Sequence, residues 1–403
     1  KPAGADCESG LMFLDRIALR IGALPARRVT WSLVAVFSMW VLLDVFVFKV
    51  SAGLALSTYD AMVRGRVYVA NADPRVVIVD IDEASLAKMG KEFGRWPWPR
   101  DTLATVLDYI EKQQPSAIVW DLLFSDADRM SPGGDAAFDA AAKRSLHSHF
   151  SVVRLPASND GASEVTQHAL PGLWISSAKP PPPGAPVKAS TVALIPPALP
   201  HIAASSLGFN NGYVDSDGVL RRYRYLEKLP DGGMIQSISL STLKSVNQAA
   251  YSDYVAAASD LPDAKEELMV WRKTDHAYPH VSFASVFARA EGDQTIASVP
   301  DFKGKVVIIG ATAPGLHDIH PTPLSSMQPG VDSLATALDN AMNQRYLHEL
   351  PRGLQAGIAI ALCVGLALWV QFHSVASLAP ALLTLPIALL GISYLPQRAS
   401  PIY

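Results

Sequence analysis

The chain has 403 residues, with 34 Lys+Arg against 37 Asp+Glu and a formal net charge of −3, which excludes a protein whose main task is gripping a nucleic-acid backbone, because that takes a basic excess. Charged residues are 18% and apolar residues 49%, short of the roughly one-quarter charged that soluble domains carry, so part of the chain belongs in lipid. Two cysteines, Cys7 and Cys363, exclude a disulfide framework and a cysteine zinc cage.

In chain order, residues 1–30 read as a cytoplasmic N-terminal segment. Within it, Leu14, Ile17, Ala18 and Ile21 share a helical face opposite Arg16 and Arg20, which suits a helix lying on a membrane or docked on protein. Trp31 to Phe48 is apolar apart from Asp44. About 20 residues at 1.5 Å each cross the hydrocarbon core, so residues 31–50 are assigned to a first transmembrane helix. Arg16, Arg20, Arg27 and Arg28 ahead of it place the N-terminus inside. Asp44 is an intramembrane ionisable group, hence a functional candidate or a polar contact near the outer interface. Residues 51–350 then lie outside the cytoplasm, and they contain no cysteine.

That middle segment alternates buried strands with amphipathic helices. Val76–Val79 is a strand running into Asp80-Ile-Asp82, and a helix starts at Glu83. Arg100 to Gln113 is a helix carrying Leu103, Val106, Leu107 and Ile110 on one face, with Asp101 as its N-cap. Ala117–Trp120 is a second strand ending at Asp121. Ala157 to Pro200 is rich in Pro, Ser and Ala, and its Lys179–Gly184 run is an extended loop. Gly212 to Leu229, with Asp215-Ser-Asp217-Gly218 in the middle, predicts an antiparallel hairpin. Lys305–Ile309 is a third strand leading into Gly310-Ala-Thr312, and a helix follows over Val331 to Gln344. Continuous apolar strands of this kind predict a mostly parallel sheet covered on both faces. The fold class is therefore an α/β extracytoplasmic domain with an antiparallel hairpin added, flanked by transmembrane helices. Residues 354–372 and 375–395 are uncharged, and with only His373 and Ser374 between them they form a helical hairpin, the second helix kinked at Pro380 and Pro386. Residues 396–403 begin a loop or further helix. Three crossings leave Tyr403 outside, so these residues are expected to be a portion of a longer product.

Carboxylates collect where strands end, with Asp80 and Asp82 on one and Asp121, Asp126 and Asp128 on and after the next. Ligands of open α/β sheets bind outside the carboxyl ends of strands. Three readings stand: Asp82 caps the following helix, the group lines a binding cleft, or the pair holds a cation for phosphoryl transfer. Trp96-Pro-Trp98-Pro-Arg100 is a rigid turn, either a plug over the sheet edge or an aromatic and arginine wall for a ligand or partner. His317, Asp318 and His320 form either part of a zinc site lacking further ligands or a loop hydrogen-bond network. No Walker loop, GxGxxG or G-x-S-x-G elbow is present. No catalytic residue, metal or cofactor is assigned.

The order of motifs resembles the bacterial CHASE-type sensor domains of the second class, CHASE2. The matching strings are Tyr59-Asp60 with Arg64 and Arg66, Val76-Val-Ile-Val-Asp80-Ile-Asp82-Glu-Ala-Ser85, Trp96-Pro-Trp-Pro-Arg100, and Ile118-Val-Trp-Asp121-Leu-Leu-Phe124-Ser-Asp126. Gly208-Phe-Asn, Asp215-Ser-Asp-Gly218-Val-Leu-Arg-Arg222, and Phe302-Lys-Gly-Lys-Val-Val-Ile-Ile-Gly-Ala-Thr312 follow. Asp318, Pro321-Thr-Pro323 and Pro329-Gly-Val331 complete a set covering about residues 57–345. The resemblance implies one membrane helix, an external sensory domain, then usually three helices and a cytoplasmic output such as a nucleotide cyclase, diguanylate cyclase or kinase. The last helix and the output fall outside these residues, and Asp332-Ser333 stands where the family often has a histidine.

The expectation is a multi-pass protein of the bacterial inner membrane, the sensory half of a signalling protein. Its expected partners are the bilayer, a second copy of itself, and an external ligand or protein. Ligand or partner contacts are expected from Asp80, Asp82, Trp96, Trp98, Arg100, Asp121, Asp126, Asp318 and His320. The rival readings are a docking subunit of an envelope complex and a membrane-tethered, metal-dependent hydrolase built on Asp80, Asp82 and Asp121.

Overall fold

The computed structural model describes residues 25–66, 69–175, 191–229, 233–259, 265–296, 298–316, 318–347 and 349–373, with 380 and 384. The expected surface helix over residues 11–24, the Lys179–Gly184 loop, His317 and nearly all of Val375–Leu395 lie outside the described residues. The chain divides into two compact units, Lys1–Met62 with Glu349–Ile402, and Val63–His348.

The elements begin with α1 (Ala26–Leu43), a π-helical turn (Asp44–Phe48), α2 (Ala52–Gly65), β1 (Val76–Ile81), α3 (Glu83–Phe93), α4 (Arg100–Glu111) and β2 (Ala117–Trp120). Then come α5 (Gly134–Arg144), β3 (Ser148–Arg154), β4 (Trp174–Ile175), β5 (Leu194–Ile195), α6 (Pro200–Ala203), β6 (Ser206–Phe209), β7 (Arg222–Lys228) and β8 (Met234–Gln236). α7 (Ile238–Val246), α8 (Gln248–Ser259), β9 (Lys265–Met269), β10 (His280–Ser282), α9 (Phe283–Ala290) and β11 (Val306–Ala311) follow. The last are β12 (Ile319–His320), β13 (Gln328–Pro329), α10 (Gly330–Met342), β14 (Tyr346–Leu347) and α11 (Arg352–Phe372).

The first unit contains two helical stretches, Arg27–Phe48 and Arg352–Phe372, of 22 and 21 residues, long and apolar enough to cross a membrane by length and composition. At 1.5 Å per residue they run about 33 and 32 Å. α1 and α11 pack on each other, yet Leu33, Val36, Phe37 and Trp40 remain exposed. Asp44 is buried, and its carboxylate accepts hydrogen bonds from Val50 N at 2.6 Å, Ser51 N at 3.2 Å and the Ser51 hydroxyl. It holds the turn into α2, so its polarity is met within its own stretch of chain.

In the second unit the main sheet runs β10-β1-β11-β2-β3, all parallel; β6 lies parallel along the outer edge of β3, and β5 pairs antiparallel with its end. Every residue of β1 and β11 is buried, as strands covered on both faces must be. Val77, Val79, Ile81, Val307 and Ile309 join Leu103, Val106, Leu107 and Ile110 of α4, Phe138 of α5 and Phe283 of α9 in one apolar core. Trp120, Phe124, Phe138 and Phe150 nest at its centre, Trp120 on Phe138 with centroids 5.0 Å apart. The alternate positions face α10 and α7. A Cβ on Gly310 would come within 2.7 Å of Val331, and one on Gly208 within 2.2 Å of the Ile238 backbone, so glycine is what admits the helices.

The expected hairpin over Gly212–Leu229 forms only by half. β7 is a strand, but the residues before Asp215 pair with no strand, and β7 belongs to an antiparallel sheet of order β14-β9-β7-β8-β4. The turn residues serve ion pairs instead: Arg221 bonds Asp215 at 3.0 Å and Asp217 at 2.8 Å, and Arg222 also pairs with Asp215. Asp101 does not cap α4 either. The residue before α4 is Pro99, which offers no side-chain cap; the Arg100 N–H is met from across the loop by Asp128 Oδ2 at 2.8 Å.

Candidate functional site

The carboxyl ends of β11 and β2 lie side by side, Ile309 opposite Trp120. After β11 the chain crosses to α10 on one face of the sheet, and after β2 it crosses to α5 on the other. Such a divergence opens a crevice between neighbouring strands, and here it opens a cleft of about 1080 Å³. Seven sequence-predicted residues line it: Trp96, Trp98, Arg100, Asp121, Asp126, Asp318 and His320. Asn210, Tyr223 and Ser333, which were not among the expected contact residues, share the wall.

Asp121 follows β2 directly. Its Oδ1 accepts from Asn210 Nδ2 at 2.6 Å, while its Oδ2 is buried without a hydrogen-bond partner. Burial, with the neighbouring Asp318 carboxylate adding to it, pushes this carboxyl up to about 7 against the opposing effects of Asn210 and His320. His320 lies 3.5 Å from Asp318 Oδ1; that hydrogen bond, more than the burial opposing it, raises the imidazole above its ordinary value. The unfilled Oδ2 of Asp121 thus lies in the cleft wall beside the Asp318–His320 pair.

The Trp-Pro-Trp turn lines the cleft as well. Trp98 is buried and stacks toward Phe283 with centroids 5.5 Å apart, and half-buried Trp96 meets Trp98 edge-on at 5.0 Å. Arg100 is drawn inward, pairing with Asp135 and the Asp126 carbonyl oxygen and lying 5.5 Å over the Phe124 ring. Its charge holds the loop rather than standing free for a ligand. Asp128 accepts from the N–H groups of Arg100, Met130 and Ser131; burial opposes its ionisation, but these bonds together hold its carboxyl below the usual range.

Asp80 and Asp82 lie elsewhere. Asp82 caps α3, accepting from Ser85 N at 2.7 Å, and also accepts from Ser282 Oγ at 2.9 Å. Asp80 accepts from Thr312 N at 3.0 Å and Thr312 Oγ1 at 2.7 Å, and lies 2.9 Å from His280 Nδ1. In register Gly310 is opposite Asp80 and next to Asp121, and Val331 fills the notch over it. Two strand spacings of about 4.8 Å separate β1 from β2, so Asp80 and Asp121 stand about 10 Å apart with an apolar side chain between them. The three carboxylates of the hydrolase reading thus have separate partners and do not converge on one ion.

The raised carboxyl of Asp121 makes a signed prediction. A group whose folded-state value lies above its unfolded one stabilises fully below about pH 4, its unfolded value, and loses that contribution as pH rises through about 7. Above pH 7 the folded state holds a buried carboxylate that Asp121→Asn lacks. Thermal melts should show Asp121→Asn gaining on the wild type between pH 5 and 8.5, with a higher melting temperature at 8.5. Parallel pH profiles would contradict the assignment.

The family model for the CHASE2 domain matches residues 33–369. Neither the curated proteins nor the solved structures yield a match. The matched span takes in the parallel sheet, its cleft and the greater part of both apolar terminal helices, and the chain belongs to the CHASE2 family of sensor domains.

Proposed function

We propose that the chain is the extracytoplasmic sensory part of a membrane-anchored signalling protein, and that it takes a small ligand in the cleft beside Asp121. The observation that carries this reading is the buried, unpartnered Oδ2 of Asp121 in the wall of a large cleft. A buried acceptor without a donor is costly, and a ligand hydroxyl or ammonium group supplies what the fold leaves out. Trp96, Leu123 and Tyr223 offer apolar surface for the rest of such a ligand. Anchoring rests on the two apolar helices at the ends of the family match, with Arg27 and Arg28 on the cytoplasmic side of the first. Occupancy would reach an output domain through these helices, in a pair of chains, since closed two-fold symmetry is the commonest assembly.

The test is a thermal-shift panel of amino acids, small amines and sugars on the full chain in detergent. A compound bound in the cleft raises the melting temperature of the wild type, by mass action on the folded state, and loses most of that effect in Asp121→Asn. Binders that stabilise both proteins equally would place the ligand site away from this cleft.

A further inference from the structure

On the far side of Val331 from the cleft, two histidines and an aspartate meet. His280 opens β10, His276 lies four residues before it, and Asp332 sits in the first turn of α10. Asp332 Oδ1 is 3.2 Å from His280 Nε2, and Asp332 Oδ2 is 3.3 Å from His276 Nδ1. All the donor atoms lie within 4.8 Å of one another. Asp332 is 1% exposed, and its Oδ2 accepts no hydrogen bond.

The other side of His280 is already committed. Its Nδ1 faces Asp80 Oδ2 at 2.9 Å, and Asp80 is fixed in turn by Thr312. A carboxylate accepting from the outer nitrogen of a metal-bound histidine is the usual supporting contact of such sites, fixing the tautomer and the ring plane. The Nε2 of His280 faces Asp332 Oδ1 on the opposite side of the ring, across the gap where an ion held by both would sit.

We propose that His276, His280 and Asp332 form a binding site for a divalent cation of the zinc class, with Asp80 as the positioning residue behind His280. Zinc–nitrogen and zinc–oxygen bonds of about 2.0–2.1 Å set the edges of a tetrahedron at about 3.3 Å. Asp332 meets His280 through Oδ1 at 3.2 Å and His276 through Oδ2 at 3.3 Å, and one donor atom from each residue lies within 4.8 Å of the others, so a small movement of the exposed His276 ring closes the three onto one ion. Two imidazoles and one carboxylate favour zinc over magnesium or calcium, which prefer all-oxygen shells. Three protein ligands leave a fourth position, and His276, 57% exposed, keeps that side open to solvent. Bound there, the ion ties the loop before β10 to the start of α10, the helix whose first residues also line the cleft.

The test uses the untagged full chain in detergent, stripped with EDTA and then given ZnCl₂ or MgCl₂. Zinc is expected to raise the melting temperature by several degrees with magnesium inert, and cobalt is expected to give the visible absorption of a tetrahedral ion. His276→Ala should melt like the wild type without metal and lose both the zinc-dependent rise and the cobalt band. Asp80→Asn should weaken zinc binding by about 10- to 100-fold while leaving the cobalt band in place at saturation. A wild type indifferent to zinc would overturn the proposal. So would a zinc response that survives intact in His276→Ala, which would put the ion elsewhere.

Discussion

Asp339→Ala is expected to destabilise the domain more than any other single carboxylate change among the described residues. Asp339 is 0% exposed and lies on α10. Arg272, itself buried, reaches its Oδ2 with Nη2 at 2.7 Å and Nε at 3.0 Å. The Tyr278 hydroxyl and the Asp73 N–H donate to the same oxygen at 2.9 Å, and Asn343 Nδ2 donates to Oδ1 at 2.8 Å. One carboxylate thus ties the segment before β1, the segment before β10 and the body of α10 together. Removing one partner of a buried ion pair costs about 3–5 kcal/mol, because the other charge is left uncompensated. Here the Tyr278 hydroxyl and the Asp73 N–H lose an acceptor as well. Against a typical total stability of about 5–15 kcal/mol, urea unfolding should place Asp339→Ala at the edge of folding. A loss below about 1 kcal/mol would mean the network is solvated rather than buried.

The second large effect separates the two tryptophans of the Trp-Pro-Trp turn. Trp98 is 2% exposed and packed against Phe283, so Trp98→Ala should cost about 3–5 kcal/mol, as truncations of buried aromatics do. Trp96 gives part of its surface to the cleft, and its loss should cost roughly 1–2 kcal/mol, mostly the edge-on contact and partial burial. For a domain of this size each kcal/mol moves the melting temperature by about 2–4 °C, so the two variants are distinguishable by melting alone. Equal costs would make Trp96 as much a plug as Trp98. A stable Trp98→Ala would overturn the reading of the turn as part of the core.

The parallel sheet was legible because β1, β2 and β11 are apolar at nearly every position, a pattern that only burial on both faces explains. The cap at Asp82 was legible because the bond it makes is local. Of the antiparallel sheet only β7 was, within the hairpin expected over Gly212–Leu229. β4 and β8 are two and three residues long, and β9 opens Lys-Glu-Glu; in none of these does a run of apolar residues mark a strand. Asp121 on one side, and Asp318 with His320 on the other, were each placed after a strand, but their gathering into one group did not follow from the sequence. Nor did the separation of Asp80 from Asp121, because β11, which stands between them, enters the sheet from much later in the chain. Asn210 and Tyr223 are ordinary residues by type and gain meaning only from what they face. His276 and His280 did carry a signal, two imidazoles four residues apart, but their third partner is 52 residues beyond His280. Asp339 and Arg272 carried none, since nothing in the sequence marks which charges are buried together.

The account rests on the Val63–His348 unit standing outside the cytoplasm, and impermeant thiol labelling tests that most directly. Leu146 is 86% exposed, so a cysteine there is within reach of solvent on whichever side the domain lies. In a background with Cys7 and Cys363 replaced by serine, Leu146→Cys should label with a membrane-impermeant maleimide in intact spheroplasts, as strongly as after lysis. Labelling that appears only after lysis would put the domain and its cleft in the cytoplasm and contradict the account.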